Sequence, residues 1–363
     1  MENAPSPLLY SQFRPCITLP PLGSVGDFSE AITVYVFVGD IGGTNTRLAL
    51  YRDGKEAFER IYPSQEQASL EDAALRFLQE ARAELGNDVR PQRACFGVAG
   101  PVENDTSKIT NLPWFIEARK LEQRLQIERV RLLNDFQAAA LGVTVLEPQH
   151  FLQLGGGTRV ENGPCVVLGA GTGLGAAFLI WSTAGRYEVV SSEAGHTDFA
   201  ARTPVEAALY QHLVRIYERV SYERVLSGAG LVDTFQFLDA EYGCHALVRP
   251  ETREAMKTED PAAVVTKQAL AGADPVCRMA VEIFLSVLGG FAGNLALTAL
   301  ATGGVFIAGG ITPRLKPLLN QGPFRPSFEA KGRMQPLVAK MPAYLVMFPD
   351  LGMLGASVQA SRL

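Results

Sequence analysis

Cysteine is scarce and scattered. The five in 363 residues, Cys16, Cys95, Cys165, Cys244 and Cys277, form no CxxC and have no histidine pair nearby. That excludes a disulfide framework or a zinc site as an organising feature and points to a reducing compartment. Runs of one charge are also missing. Thirty-three Lys and Arg against 38 Asp and Glu leave a net charge of -5, with no block of five like charges, so neither nucleic acid nor an anionic membrane is an expected partner. The opening MENAPSPLLYSQFRPC has no basic stretch followed by an apolar one, so no secretory signal is expected. The phosphate loop GxxxxGK(S/T) is absent as well.

One apolar run needs a decision. Residues 283–308 pass 26 positions without a charge and hold Gly289 and Gly293 in GxxxG spacing. Asn294 interrupts the run, Thr302, Gly303 and Gly304 break it, and no Lys or Arg cluster flanks it. The expectation is a buried helix over 281–300, a glycine turn and a buried strand at 305–308, with the small residues serving close helix packing.

What the chain does have is apolar content and glycine. At 47% hydrophobic and 20% charged it reads as globular, and its length fits two domains. Its 35 glycines are nearly a tenth of the chain, against a usual ~7%. They gather at the ends of apolar runs, where backbone can approach a ligand without a Cβ in the way.

The apolar stretch 34–38 leads into Gly39, Asp40, Ile41, Gly42, Gly43 and Thr44, and 48–51 resumes as a strand. This is a glycine hairpin, unlike the strand-to-helix turn of a dinucleotide or P-loop site. Behind Ser69 as N-cap, Leu70, Ala74, Phe77, Leu78, Ala81 and Leu85 fall at helical spacing. Strands are expected at 95–98 and 130–133, the second ending at Asn134 and Asp135. About 130 residues after the first hairpin the pattern returns: strand 165–168, turn 169–175, strand 176–180. A repeat on this scale predicts two α/β domains of common design facing each other across a ligand. The expected division is a leader at 1–34, a small domain at 35–140 completed by about 345–363, and a large domain at 141–344. A helix should start behind Thr203, with Pro204 at its first position and Glu206 completing a capping box.

Three glycine turns, at 39–45, at Gly171, Thr172 and Gly173, and at Gly309 and Gly310, each follow an apolar strand and can aim N–H groups at phosphates. Asp40 would repel a bare phosphate, so its expected role is to hold Mg²⁺, directly or through water. Gly171 to Gly173 resembles half of a GxGxxG signature, but a strand follows where a dinucleotide site needs a helix. Asp135, at a strand end before an apolar helix start, reads equally as a general base or as a helix N-cap. Glu193 puts a carboxylate three residues before the His196 imidazole in a glycine-containing segment, Glu223 precedes another glycine-containing stretch, and His196 is a candidate ligand for hydroxyls in a cleft.

Together these segments carry a resemblance. GDIGGTNTRLALY (39–51), FGVAGPV (96–102), LLNDFQAAALG (132–142), LGAGTGLGAAFL (168–179), SSEAGH (191–196), ERVLSGAGLV (223–232) and GGVFIAGGITPR (303–314) resemble the bacterial-type glucokinase family, motif by motif and in order, over about 36–357. The resemblance implies an actin-like, ribonuclease H-like fold of two α/β domains with a cleft between them. It implies ATP- and Mg²⁺-dependent phosphorylation of D-glucose at the 6-hydroxyl, the first step of glycolysis, by a cytoplasmic homodimer. It makes Asp135 the catalytic base, Asn134, Asp135, Glu193, His196 and Glu223 the glucose ligands, and Gly39 to Thr44 with Gly171 to Gly173 the phosphate elements. Two features depart from the family: the leader has no counterpart, and Ala194 stands where glycine is frequent. The CxCGxxGC zinc cluster of related repressors is absent, and the leader is too short and too weakly basic for the DNA-binding helix pair of a sugar-responsive regulator, the alternative reading of this fold. Ser361, Arg362 and Leu363 match a peroxisomal address, which would place the enzyme in peroxisomes or glycosomes in a suitable eukaryote.

Overall fold

The computed structural model describes residues 35–109 and 112–363. The leader and Cys16 lie outside the described residues. Two sheets carry the chain, and they are built alike. In the first, β1 (Tyr35–Ile41), β2 (Asn45–Arg52) and β3 (Lys55–Pro63) form an antiparallel meander, and β4 (Arg93–Val98) and β7 (Arg129–Asn134) add in parallel on the other side of β1. In the second, β9 (Cys165–Ala170), β10 (Leu174–Trp181) and β11 (Tyr187–Ser192) form the meander. There β12 (Gly304–Ala308) and β13 (Ala343–Val346) add in parallel, and β8 (Phe151–Gln153) closes the far edge. The repeat expected from the two glycine hairpins is therefore a repeat of sheet topology. A two-stranded ribbon, β5 (Thr106–Lys108) and β6 (Phe115–Glu117), extends the first half.

Helix α1 (Leu70–Leu85) starts where expected, because Ser69 Oγ accepts the Asp72 N–H. Its apolar stripe covers one face of the first sheet, where Phe37 stacks on Phe77 at 5.0 Å and meets Phe96 edge-on at 5.2 Å. Each buried ring contributes roughly 1.5–3 kcal/mol. Leu85, expected on that stripe, is the last helical residue and is 39% exposed, because the chain turns away there at Gly86. Helix α2 (Ala118–Leu125) packs beside α1.

The remaining helices are α3 (Asp135–Val143), α4 (Pro204–Tyr217), α5 (Gly228–Ala240), α6 (Pro250–Thr258), α7 (Pro261–Ala271), α8 (Pro275–Ala299), α9 (Lys316–Gln321), α10 (Phe324–Glu329), α11 (Gln335–Val338) and α12 (Leu351–Ser361). The long apolar run is the core helix α8, 78% buried over its most apolar window. It begins at 275, earlier than its charge-free stretch suggests, because buried Asp274 caps it, its Oδ1 accepting the Val276 and Cys277 N–H groups. Gly289 and Gly293 do serve close packing: a Cβ there would lie 2.1 Å from the Phe324 oxygen and 2.3 Å from the Phe328 oxygen on α10. At α4, Thr203 caps as expected, but the Glu206 carboxylate does not return to the Thr203 N–H. It accepts from the Arg202 N–H, the Arg202 guanidinium and Ser286 Oγ, three donors around a buried carboxylate that outcompete the reciprocal cap.

Two helices cross between the halves. Helix α3 leaves β7 of the first sheet, yet Ala140 and Val143 pack on Val167, Ala177 and Leu179 of the second. Helix α12 follows the second sheet, yet Met353, Ala356 and Ala360 pack on Val38, Ala49 and Cys95 of the first. The joints expected at 140 and 345 consequently fall inside α3 and β13. Each half is covered by a helix belonging, by chain order, to the other.

Candidate active site

The ends of the two meanders and the start of α3 meet at one place. From the first sheet, β1 delivers Asp40 and the turn to β2. That turn is fastened by Ser64, a buried residue with no motif around it: its N–H donates to the Thr44 oxygen at 2.8 Å and its Oγ to the Gly42 oxygen at 2.7 Å. The glycines in this turn divide by role. A Cβ on Gly39 would sit 2.7 Å from Leu48 and 2.8 Å from Phe96, so the absence of a side chain at Gly39 allows β1 to pack. Ile41 is fully buried, leaving only its backbone for any such contact, and that carbonyl already accepts the Ala99 N–H. The Gly42 N–H is likewise spent, on the Asn45 oxygen.

Asp135 is the first residue of α3, and Asn134 is the cap: Asn134 Oδ1 accepts the Phe136 N–H at 3.0 Å while Gln137 Oε1 accepts the Asn134 N–H. The N-cap reading of Asp135 therefore passes to its neighbour, whose Nδ2 also ties down the Gly100 oxygen at 3.1 Å. Asp135 and Asp40 keep surface open to solvent although protein surrounds both carboxylates closely. Burial pushes both carboxyls above their usual range, and each faces another carboxylate, Glu193 for Asp135 and Asp135 for Asp40. Asp350 adds to the crowding at Asp40, and Arg47 opposes it. The Arg47 guanidinium is held by Glu59 at 2.6 Å and Asp350 at 2.5 Å, a link between β2 and the start of α12 spanning 303 positions of sequence.

From the second sheet come Glu193, His196 and Glu223. Residues 197–199 run beside 220–222, with the Tyr222 N–H on the Thr197 oxygen and the Phe199 N–H on the Val220 oxygen, and this brings His196 to Glu223. His196 Nδ1 lies 3.8 Å from Glu223 Oε1 and His196 Nε2 lies 3.9 Å from Glu193 Oε2. Glu223 Oε2 accepts the Leu174 N–H at 2.9 Å, and a Cβ on Gly173 would sit 2.7 Å from that same oxygen. Gly173 therefore makes room for a candidate sugar ligand, while a Cβ on Gly171 would face open space, although the Gly171 N–H, like that of Gly42, is spent within its own turn, on the Gly173 oxygen at 2.8 Å. At the third turn Gly309, with φ +90° and a Cβ that would meet the Ala170 oxygen at 2.4 Å, is required by the backbone, and Gly310 is open. The Ile311 N–H on the Ala170 oxygen places the second and third turns side by side. Ala194 is buried in the large core, so the methyl that departs from the family pattern is accommodated.

Behind Glu223, Tyr222 packs on Phe291 at 4.3 Å between ring centres, and its hydroxyl accepts from Asn294 Nδ2. Lys331 Nζ donates to Asn294 Oδ1 and the Gly290 oxygen, each at 2.8 Å. Burial, then the charge of Arg202, lowers Lys331 to about 8, with Glu206 opposing. The folded form thus binds the proton less well than the unfolded chain, so this lysine costs stability below pH 8 and the cost is relieved as pH rises toward 10.5. Chemical denaturation at pH 7.5 and 9.5 should show the wild type gaining on Lys331→Met as pH rises. Parallel profiles would refute the buried, proton-poor lysine.

A cleft between two like-built α/β halves, with carboxylates on one wall and a carboxylate–imidazole group plus glycine turns on the other, defines a sugar kinase of the actin-like class. A sequence model of the glucokinase family matches residues 37–363. The glucokinase of Nostoc sp. is 39% identical over 344 residues, covering 90% of this chain and 99% of that one. Among solved structures, glucokinase from an Antarctic psychrotroph superposes with a TM-score of 0.78 at 31% identity, covering 91% of this chain and 99% of its own. A ROK family glucokinase from Streptomyces griseus, in complex with glucose and AMPPNP, shares the fold at TM-score 0.61 and 20% identity, covering 91% of this chain and all of its own. The chain belongs to the glucokinase family, and its activity is phosphorylation of glucose by a sugar kinase.

Proposed function

We propose that the enzyme transfers the terminal phosphoryl group of ATP to the 6-hydroxyl of D-glucose, with Asp135 as the general base. What supports this most is the meeting of Asp135 and Asp40 from the first half with Glu193, His196 and Glu223 from the second, at the mouths of three glycine turns. Glu193, His196, Glu223 and Asn134 bind sugar hydroxyls, and an analogue lacking one would leave its partner unpaired once the bound sugar excludes water. Asp135 accepts the 6-hydroxyl proton as the sugar 6-oxygen bonds to the γ-phosphorus, and the bond from that phosphorus to the β–γ bridging anhydride oxygen breaks, the oxygen leaving with ADP. Phosphoryl transfer asks the protein chiefly for alignment and charge neutralisation.

Asp40 suits Mg²⁺. Its carboxylate is crowded by Asp135 and Asp350, an excess of negative charge that a cation relieves. No cluster of three metal-ligating side chains exists among the described residues, as befits an ion held mainly by phosphates and water. When bound, Mg²⁺ supplies neutralisation of phosphate charge.

The two halves, about 35–134 with 351–363 and about 144–346, are read as the bodies that close over glucose and separate sugar phosphorylation from ATP hydrolysis. The enzyme is further read as a cytoplasmic homodimer. Exposed Ile180 and Val190 on neighbouring strands suit an interface. The C-terminal tripeptide supports no import address, since Arg362 is half-buried and donates to the Tyr187 oxygen. The test is a sugar and donor panel with product detection. Glucose 6-phosphate should form from glucose and ATP and stop on chelation of Mg²⁺; no turnover of glucose, or turnover indifferent to chelation, would overturn the reading.

A further inference from the structure

Phe136 follows the candidate base directly, and its ring occupies an unusual seat. Gly169 on β9 and Gly175 on β10 are directly opposed partners in the second sheet. A Cβ on Gly169 would lie 2.9 Å from the Phe136 ring and one on Gly175 only 2.4 Å from it. Two facing positions of a sheet thus give up their side chains, at a cost in strand stability, Gly175 for this ring alone and Gly169 for the ring and for the Ala308 and Gly309 backbone at 3.0 Å. On the other side, a Cβ on Gly97 of β4 would meet Ala138 Cβ at 3.3 Å and Asp135 Cα at 3.7 Å. The first turn of α3 is pressed between a glycine of one sheet and two of the other. The same β9–β10 hairpin carries Gly171 and the Leu174 N–H that holds Glu223.

We propose that Phe136 is a positioning residue for phosphoryl transfer: seated on Gly169 and Gly175, its ring fixes the Asp135 carboxylate relative to the hairpin that carries the sugar and phosphate elements. Ordinary packing would need no glycine pair. Side chains at 169 and 175 would bury a phenyl ring equally well but would hold α3 farther from the sheet. What the glycines supply is close approach, and the group brought close is the one whose distance to the sugar hydroxyl sets the rate. A displacement of about 1 Å at a reacting group can cost about 10²-fold.

The inference rests on the reading of Asp135 as base, so both are tested together. Phe136→Leu, Gly175→Ala, the double variant and Asp135→Asn are compared by kcat, glucose KM and melting temperature, with kcat normalised to glucose-binding sites counted by calorimetry. Each single variant at the seat should lose at least tenfold in kcat with KM within about threefold. The double should lose less than the product of the two, because the added methyl fills part of the volume the smaller side chain vacates. If stability falls while kcat per site stays within twofold, or if the losses simply multiply, Phe136 is packing and nothing more. If Phe136→Leu does not fold, Gly175→Ala decides by the same split. An Asp135→Asn enzyme with near-normal kcat overturns the base itself, whereas loss there with full activity at Phe136→Leu overturns only the positioning.

Discussion

Replacing Asp135 by Asn should lower kcat by about 10²- to 10⁴-fold, the usual worth of a positioned general base, while glucose still binds within about fivefold of wild type by calorimetry. The substitution is nearly isosteric. Asn keeps the oxygen that accepts the Phe136 N–H, a contact of 2.7 Å in the native enzyme, and so keeps the first turn of α3. What it loses is the lone pair that takes the hydroxyl proton. Burial raises the Asp135 carboxyl above its ordinary value, so protonation should shut down turnover at a higher pH than for an exposed aspartate. The acid limb of kcat in the native enzyme should therefore lie above the usual carboxylate range.

The same shift sets the sign on stability. A carboxyl whose folded pKa is raised favours the fold below its unfolded pKa and loses that contribution as pH rises through the folded value. At neutral pH the ionised Asp135 is thus a cost, and Asp135→Asn should melt at the same temperature as wild type or higher. A variant that lost both turnover and several degrees of stability would mean that the residue holds α3 in place and does no proton chemistry.

Some of this was readable in the sequence and some was not, for a physical reason. Asp40 between an apolar strand and glycines, and the return of that pattern 130 residues later, are local signals, and both hairpins form as expected. Helix starts at Ser69 and Thr203 are local too, since a cap is one side chain reaching its own chain. Gly39, Gly173 and Gly309 look alike in sequence to Gly171 and Gly310, yet the first three fit around Leu48, Glu223 and Ala170 and the last two face open space. Only the partner tells them apart. Ser64, the Arg47–Asp350 pair and the seat of Phe136 depend likewise on residues far away in sequence, and in the pattern FQAAALGV the phenylalanine looks like any other apolar helix residue. The reciprocal cap at Glu206 failed because its buried carboxylate is taken by the Arg202 guanidinium, the Arg202 N–H and Ser286.

Gly355→Ala should be the most damaging glycine-to-alanine change among the described residues. Helices α3 and α12 cross so closely that a Cβ on Gly355 would lie 1.6 Å from the Ala138 oxygen, and one on Gly142 only 2.4 Å from the Leu351 oxygen. Alanine would favour an exposed helix by about 1 kcal/mol. Here that gain is outweighed, because neither helix is free to retreat. Helix α3 is pinned to the second sheet through Ala140 and Val143, and α12 to the first through Met353, Ala356 and Ala360. Separating them would open both cores at once, so the cost should reach or exceed the upper end of the 1–3 kcal/mol typical of overpacking. Gly352, one turn earlier on α12, is the control, since its Cβ would come no nearer than 3.9 Å to any neighbour, the Asp40 carboxylate. Denaturation should show Gly355→Ala losing several kcal/mol or failing to accumulate folded, while Gly352→Ala stays within about 1 kcal/mol of wild type in either direction. Equal stability of the two variants would mean that the crossing yields to a methyl. The halves would then not be locked at this contact, and the link that carries Asp350 to Arg47 could not depend on it.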